Sequence, residues 1–284
     1  MAGVRGPTVG YLVEPNSALA SYRLRVALPA PHLGLDYAIG VQGDVSFFYK
    51  WGDPDAARRC RLVVYDVVND HFDHPDVLQM ANLADVVTAG SDVMAEKVRL
   101  NVGRDATVID DPYENEEWLP QLIGNAVLWF GHSVNLPSLS KYDLRGLNLV
   151  VCSNATGAVP WTRETETSLL SQAAVVLLTG TNPGASTNRV VKTLRAGRFP
   201  VVPVDCPKSW HQFEPFMWLG DPRVGVRWAL NNREDACRKI RAGQEYIRER
   251  FSPKAIGSQW GNLFASTLDA ATSGKKDGPV LTSP

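Results

Sequence analysis

The chain has 284 residues, of which 44% are hydrophobic and 21% charged, and its formal net charge is −1. That length exceeds one average domain and suits two, with a composition ordinary for a soluble globular protein. No apolar run approaches the roughly 18 residues of a membrane span, and no strongly basic balance marks a broad nucleic-acid binder. Up to Pro120 the balance is −8, and beyond it +7. The acidic first part argues against wide contact with phosphates there, while the basic second part suits a small anionic ligand. Cys60, Cys152, Cys206 and Cys237 are scattered, without the paired spacing of a zinc or redox motif. Residues 8–13 are too short for a signal peptide and read as a first strand, so a cytoplasmic protein is expected.

Taken in chain order, apolar runs at 8–13, 61–67, 85–89 and 106–109 predict buried strands. Between them, 18–28, 75–83 and 91–100 have helical spacing, with Ser91 as an N-cap. Residues 110–124 interrupt the rhythm with Pro112, the acidic run 114–117 and Pro120, and are read as an interdomain linker. The alternation restarts with strands at 125–130, 147–152, 174–178 and 200–204 and helices at 163–171 and 187–196. A charged helix over 234–250 and another over 253–268 follow, and 272–284 has the composition of a disordered tail. Repeated βαβ alternation implies an α/β protein of mainly parallel sheets covered on both faces. The expected architecture is two Rossmann-like doubly wound domains, 1–120 and 121–255, facing a cleft. A helix at 256–271 is able to return to the first domain.

The stretch 186–203 is the most informative. A polar start opens a short helix, Gly197 stops it in a left-handed cap, and a buried strand follows. With the apolar run 174–178 and the polar loop 179–186 before it, this is a strand–loop–helix unit that binds phosphate at a helix N-terminus. Ser186 or Thr187 is the expected cap, Asn188 and Arg189 lie on the first turn, and Arg189 and Lys192 supply full charges.

Four ordered segments over residues 83–203 resemble GT-B nucleotide-sugar glycosyltransferases of the group 1, family 4-like type. They are Leu83-Ala84-Asp85-Val86-Val87-Thr88-Ala89-Gly90-Ser91; Val108-Ile109-Asp110-Asp111-Pro112; Val127-Leu128-Trp129-Phe130-Gly131; and residues 173–178 with 194–202. Where related retaining enzymes carry two glutamates, this chain has Gly184 and Lys192. The resemblance implies donor binding by the second domain. Gly131, His132 and Ser133 would place backbone donors on the phosphates, Ser153 would line the base pocket, and Trp161 would lie beside the nucleobase. Lys192, where a glutamate is expected, would favour the diphosphate.

In the first domain, the run from Asp66 to His74 follows a strand that should end at the cleft. Asp70 and His71 are the candidate bases for an acceptor hydroxyl. The histidines and carboxylates there also allow a metal reading, which is set aside because such enzymes generally need no metal and Asp73 is explained as a helix cap. Ser21 and Arg25 share a helix face and are candidate contacts to acceptor or phosphate.

The resulting expectation is a metal-independent transferase with no cofactor. It would move a sugar from a nucleotide-sugar such as a UDP-sugar to a hydroxyl on a saccharide or small molecule. One alternative acceptor is a hydroxymethylated base in phage DNA, gripped by Arg23, Arg25, Lys50, Arg58, Arg59 and Arg61. An alternative of another class is a non-catalytic nucleotide-sugar-binding protein. Oligomeric state is left open.

Overall fold

The computed structural model describes residues 6–180 and 186–273. The chain forms two compact units, Met1–Pro112 with Phe251–Pro284, and Tyr113–Arg250.

The first unit carries β1 (Thr8–Tyr11), β2 (Asp36–Ile39), β3 (Val45–Tyr49), β4 (Val63–Val67), β5 (Val86–Ala89) and β6 (Thr107–Val108). They form one parallel sheet in the order β2-β1-β3-β4-β5-β6. The chain steps from β1 to β2 on one side and then crosses to β3 on the other. The switch point of this sheet, where α/β proteins open a ligand crevice at the carboxyl ends of the strands, therefore lies between β1 and β3. Helices α1 (Ala20–Tyr22), α2 (Pro54–Ala57), α3 (Pro75–Leu83) and α4 (Asp92–Val102) connect the strands. Ser91 caps α4 by accepting from the Met94 N–H at 3.2 Å, as its position in the sequence predicts.

The second unit carries β7 (Ala126–Phe130), β8 (Asn148–Ser153), β9 (Val159–Pro160), β10 (Val175–Leu177), β11 (Phe199–Val202) and β12 (Trp218–Leu219). Its sheet is also parallel, in the order β12-β11-β10-β7-β8-β9. The chain runs outward from β7 to β9 and returns to the other side of β7 as β10. This places the second switch point between β7 and β10. Helices α5 (Arg163–Gln172), α6 (Asn188–Arg195), α7 (Pro222–Asn231) and α8 (Arg233–Arg250) cover the sheet. Strands buried on both faces explain the unbroken apolar runs such as Val175–Leu177.

Four differences from the sequence reading have physical causes. Strands β2 and β3 were not expected. In β3, Phe47 and Phe48 alternate into separate cores on the two faces of the sheet, so the strand shows no polar face to betray its period. The helix expected over 18–28 is α-helical only at Ala20–Tyr22 and π-helical over Arg23–Ala27, closed by Leu28 N–H donating to the Arg23 carbonyl. The division between the units falls after Pro112 rather than Pro120. Residues 113–121 pack on the second unit, where Trp118 N–H donates to the Arg195 carbonyl at 2.8 Å and Gln121 N–H to the Gly197 carbonyl at 3.2 Å. Finally, the last helix, α9 (Pro253–Thr272), includes Thr272, where the tail was expected to start, and the rest of that tail from residue 274 lies outside the described residues.

Helix α9 belongs to the first unit and buries Ile256, Trp260, Leu263 and Phe264 in its core. Gly257 and Gly261 allow the helix to approach the backbone at Pro29 and Leu33, where a Cβ would collide. Among the described residues, no helix is long and apolar enough to cross a membrane.

Candidate functional site

In the second unit the residues singled out from sequence meet at the carboxyl edge of the sheet. Gly131, His132 and Ser133 follow β7, Ser153 ends β8, Trp161 follows β9, and Ser186–Arg189 open α6. Helix α6 ends as its sequence predicts. Gly197 has φ +66°, its N–H donates to the Leu194 carbonyl, and Arg198 N–H reaches the Thr193 carbonyl. A Cβ at Gly197 would lie 2.5 Å from the Leu119 carbonyl oxygen, so glycine is needed for the linker as well as the cap.

Arg189 is the centre of this edge. Its guanidinium is buried, with the carbon 5.3 Å from the ring centre of Trp129, 5.4 Å from Phe130 and 5.9 Å from Trp210. Nη1 donates to the Thr179 carbonyl at 2.7 Å. Nε and Nη2 have no partner among the described residues. Burial lowers its pKa to about 10, against an opposing influence of Glu166. Thr187, fully buried beside it at the start of α6, also leaves Oγ1 unpartnered. Nε and Nη2 of Arg189 and Oγ1 of Thr187, at the start of α6, thus have no acceptor among the described residues, which is the chemistry of an anion site.

Several of the other residues at this edge are tied into hydrogen bonds within the protein, and Ser186 makes the capping bond that the sequence predicts. Three backbone N–H groups around the glycine turn are occupied. Gly131 donates to the Cys152 carbonyl at 3.1 Å, Ser133 to Asn154 Oδ1 at 2.8 Å, and Val134 to His132 Nδ1 at 3.3 Å. The glycine is needed for room instead. A Cβ on Gly131 would sit 3.2 Å from the Trp129 ring and 3.4 Å from the Arg189 guanidinium carbon. His132 caps the following 3-10 turn, and its Nε2 lies 3.3 Å from Asn154 Nδ2, tying the β7 and β8 loops together. Ser153 is buried, with Oγ accepting from Ala155 N–H and its carbonyl from Trp161 N–H. Ser186 accepts from the Asn188 N–H at 3.1 Å, whereas Thr187 makes no capping bond. The loop position Gly184 lies outside the described residues.

Lys192 does not face the anion site as a free charge. Its Nζ is held 2.7 Å from Glu166 Oε1 and 3.2 Å from Glu114 Oε1. Glu166 also accepts from Trp161 Nε1 at 2.5 Å, and Glu114 pairs with Arg163 at 3.5 Å. These groups, with Asn115 and Trp118, line a pocket of about 170 Å³. Glu114 and Glu166 were not anticipated, because a carboxylate that pairs across 26 or more residues leaves no local spacing to read.

In the first unit, Arg25 is buried rather than presented to a ligand. Its Nε and Nη2 each donate to an Asp66 oxygen at 2.7 Å, and Nη1 reaches the Ile109 carbonyl at 2.6 Å and Asp111 at 3.3 Å. Burial opposes its charge, but Asp66 and Asp111 outweigh that and raise its pKa. Asp70 is exposed and ion-paired with Lys97. His71 stacks on Trp51, with ring centres 4.6 Å apart. His74 caps α3 by accepting from Asp76 N–H at 3.3 Å, in place of the expected Asp73. Ser21 lies beside the phenol of Tyr49 and opposes the rise that burial gives its pKa. Of the arginines read as a DNA-binding patch, Arg58 pairs with Asp55, Arg61 with Asp44, and Arg23 donates to the carbonyls of Ser17 and Ala18. No group of metal-ligating side chains occurs among the described residues.

No protein-family description and no curated protein matches the chain. Solved structures do. The crystal structure of Anabaena Alr3699/HepE in complex with UDP-glucose aligns over 92% of this chain and all of its own, with a TM-score of 0.65 at 10% identity. TarM aligns over 78% of this chain and 55% of its own, with a TM-score of 0.58 at 12% identity. Sucrose-phosphate synthase from Thermosynechococcus elongatus aligns over 80% and 74%, with a TM-score of 0.58 at 12% identity. The fold is accordingly the α/β, two-Rossmann-unit arrangement of the GT-B type, and the chain resembles GT-B nucleotide-sugar glycosyltransferases.

Proposed function

We propose that the protein is a nucleotide-sugar-dependent glycosyltransferase whose second unit binds the donor through its diphosphate at Arg189. The observation that carries this reading is the buried guanidinium of Arg189 at the start of α6, with Nε and Nη2 unpartnered among the described residues. Leaving a buried cation unpaired costs folding free energy, and a bound anion recovers it. Sugar transfer breaks the bond between the anomeric carbon and the diphosphate oxygen, and forms one to the acceptor oxygen. Negative charge grows on the departing diphosphate, where the guanidinium, Thr187 and the α6 N-terminus stabilise it. The acceptor hydroxyl gives up a proton. Asp70 and His71, adjacent on the loop after β4, are the groups proposed to take it. The likeness to a protein crystallised with UDP-glucose supports a UDP-sugar as donor. A saccharide or small-molecule acceptor is favoured over DNA, since several of the basic residues of the supposed patch are already paired.

A thermal-shift titration with UDP and UDP-glucose tests the reading, because a ligand that binds the folded state raises its melting temperature. Wild type is expected to respond and Arg189→Met is not; an equal response in both would remove the diphosphate from this site. Turnover on a panel of hydroxyl acceptors, lost in Asp70→Ala or His71→Ala, completes the test. Binding without turnover on any acceptor would point to a non-catalytic binding protein. DNA affinity that falls steeply with salt would move the acceptor to modified DNA.

A further inference from the structure

We infer that the switch point of the first sheet holds an anion subsite made by Lys50 with the hydroxyls of Ser21 and Tyr49, and that the acceptor it receives is a sugar bearing a carboxylate or phosphate. Lys50 directly follows β3 at the crevice between β1 and β3. It is the one non-glycine residue with positive φ, +60°, among the described residues. A lysine in this region is strained and persists only where its surroundings enforce it. Both of its backbone groups are fixed. Its N–H donates to the Asp66 carbonyl at 3.3 Å, and its carbonyl accepts from the Tyr65 hydroxyl.

The strained turn leaves the ammonium without a carboxylate among the described residues. The carboxylate of buried Asp66, whose backbone carbonyl meets the Lys50 N–H, is taken by Arg25 and by Thr88 Oγ1 at 2.7 Å. Lys50 Nζ instead lies 5.7 Å from the ring centre of Tyr49, whose phenol lies beside Ser21. A half-buried cation therefore lies beside the Tyr49 ring at the end of β3, with no carboxylate paired to it among the described residues. Partial burial lowers the lysine's pKa, so a ligand anion would restore favourable surroundings to its charge. The next residue, Trp51, is 44% exposed and packed against His71, giving an aromatic surface for a sugar ring. The identity of the ligand as a sugar acceptor rests on the transferase reading; the anion subsite itself does not.

Calorimetric titration of the full chain with glucose, glucuronate and glucose 1-phosphate tests this. An Arg189→Met background keeps the second unit's guanidinium from competing for the anions. The acid sugars are expected to bind about tenfold tighter than glucose, consistent with one charge-assisted contact. Whichever acid is preferred names the source of the anion. Lys50→Met and Lys50→Gly should both abolish the preference, and Lys50→Arg should keep most of it. Lys50→Gly also relieves the strained φ, so it should melt no lower than the parent and excludes misfolding as the cause. Equal binding of all three ligands, binding of none, or a preference that survives Lys50→Met would overturn the proposal. UDP binding to Lys50→Met protein with Arg189 intact is the separate readout of the donor reading. Its absence in wild type as well, with the acid-sugar preference present, would remove the donor assignment alone.

Discussion

Arg25 and Arg189 both place buried guanidinium nitrogens next to the central strands of a parallel Rossmann-like sheet, and they do opposite things. Arg25 uses three nitrogens on Asp66, Ile109 and Asp111, and its pKa is raised. Arg189 uses one nitrogen on a carbonyl, is ringed by three aromatic side chains, and its pKa is lowered by burial. Burial alone does not separate a structural cation from a ligand-binding one. The count of unsatisfied donors does. A guanidinium with a complete set of partners is part of the fold, and one left incomplete in a buried place is waiting for an anion.

The contrast breaks most visibly on removing each side chain. Arg25→Met leaves Asp66 charged, fully buried and without its cation, and is expected to cost the first unit about 3–5 kcal/mol. Urea unfolding should show this as an early transition. Adding Asp66→Leu should return most of the loss, since replacing both members of a buried pair with apolar groups is often neutral. Arg189→Met is expected to leave stability unchanged or higher, and to weaken UDP binding about 100-fold, or about 2.7 kcal/mol. If Arg189→Met instead destabilises the protein as much as Arg25→Met, the distinction between the two arginines is lost.

The sequence made Arg189 and its helix legible because every signal there is local. A polar start, a glycine at the end and flanking apolar runs all fall within 186–203. The same local reading could not show the partner of Arg25, since Asp66 is 41 residues away. The partners of Lys192, Glu166 and Glu114, were hidden for the same reason. At Gly131 a gap for a guanidinium and a gap for a phosphate call for one and the same glycine, so its sequence does not tell them apart. Strand β3 escaped because both of its faces are buried, which erases the alternation that announces a strand. Lys50 was read only as one charge of a basic patch, as a strained φ follows from the fold around a residue and not from its type.

Lys192 offers a finer version of the comparison. It was expected to act on the ligand and is found neutralising two buried carboxylates. Lys192→Met should therefore cost about 1–3 kcal/mol of stability, measured in urea, from carboxylates left buried without a counter-charge. Its effect on UDP affinity should be far smaller than that of Arg189→Met. The reverse order would mean that the lysine turns toward the ligand when it binds.

Gly131→Ala probes the space in which Arg189 sits. The new methyl would press on the Trp129 ring at 3.2 Å and the guanidinium carbon at 3.4 Å, contacts close enough to require small shifts and not a rebuilt core. A stability loss of about 0.5–1 kcal/mol is expected, near the low end for overpacking. UDP affinity should fall about fivefold, or about 1 kcal/mol, because the donors are displaced from their aim. A large stability loss with unchanged affinity would show that the glycine serves the core and not the site.

The smallest expected effect is also the most specific to an unpaired guanidinium. Burial, opposed by Glu166, holds the pKa of Arg189 down at about 10 in the free protein. A bound anion favours the charged form, so the pKa is higher in the complex than in the free protein. Affinity for an anion is then constant while Arg189 stays protonated in both states. It falls as pH rises through about 10, where the free protein has lost a proton that binding must restore, by at most about tenfold per pH unit. Sulfate suits this measurement because it does not itself titrate in that range. Its stabilising effect, followed at constant ionic strength, should be level to pH 9 and decline above 10. Arg189→Met protein supplies the baseline at each pH. A decline that persists in that variant would belong to other groups, and sulfate binding that is level through pH 11 in wild type would mean that Arg189 is not the cation the anion meets.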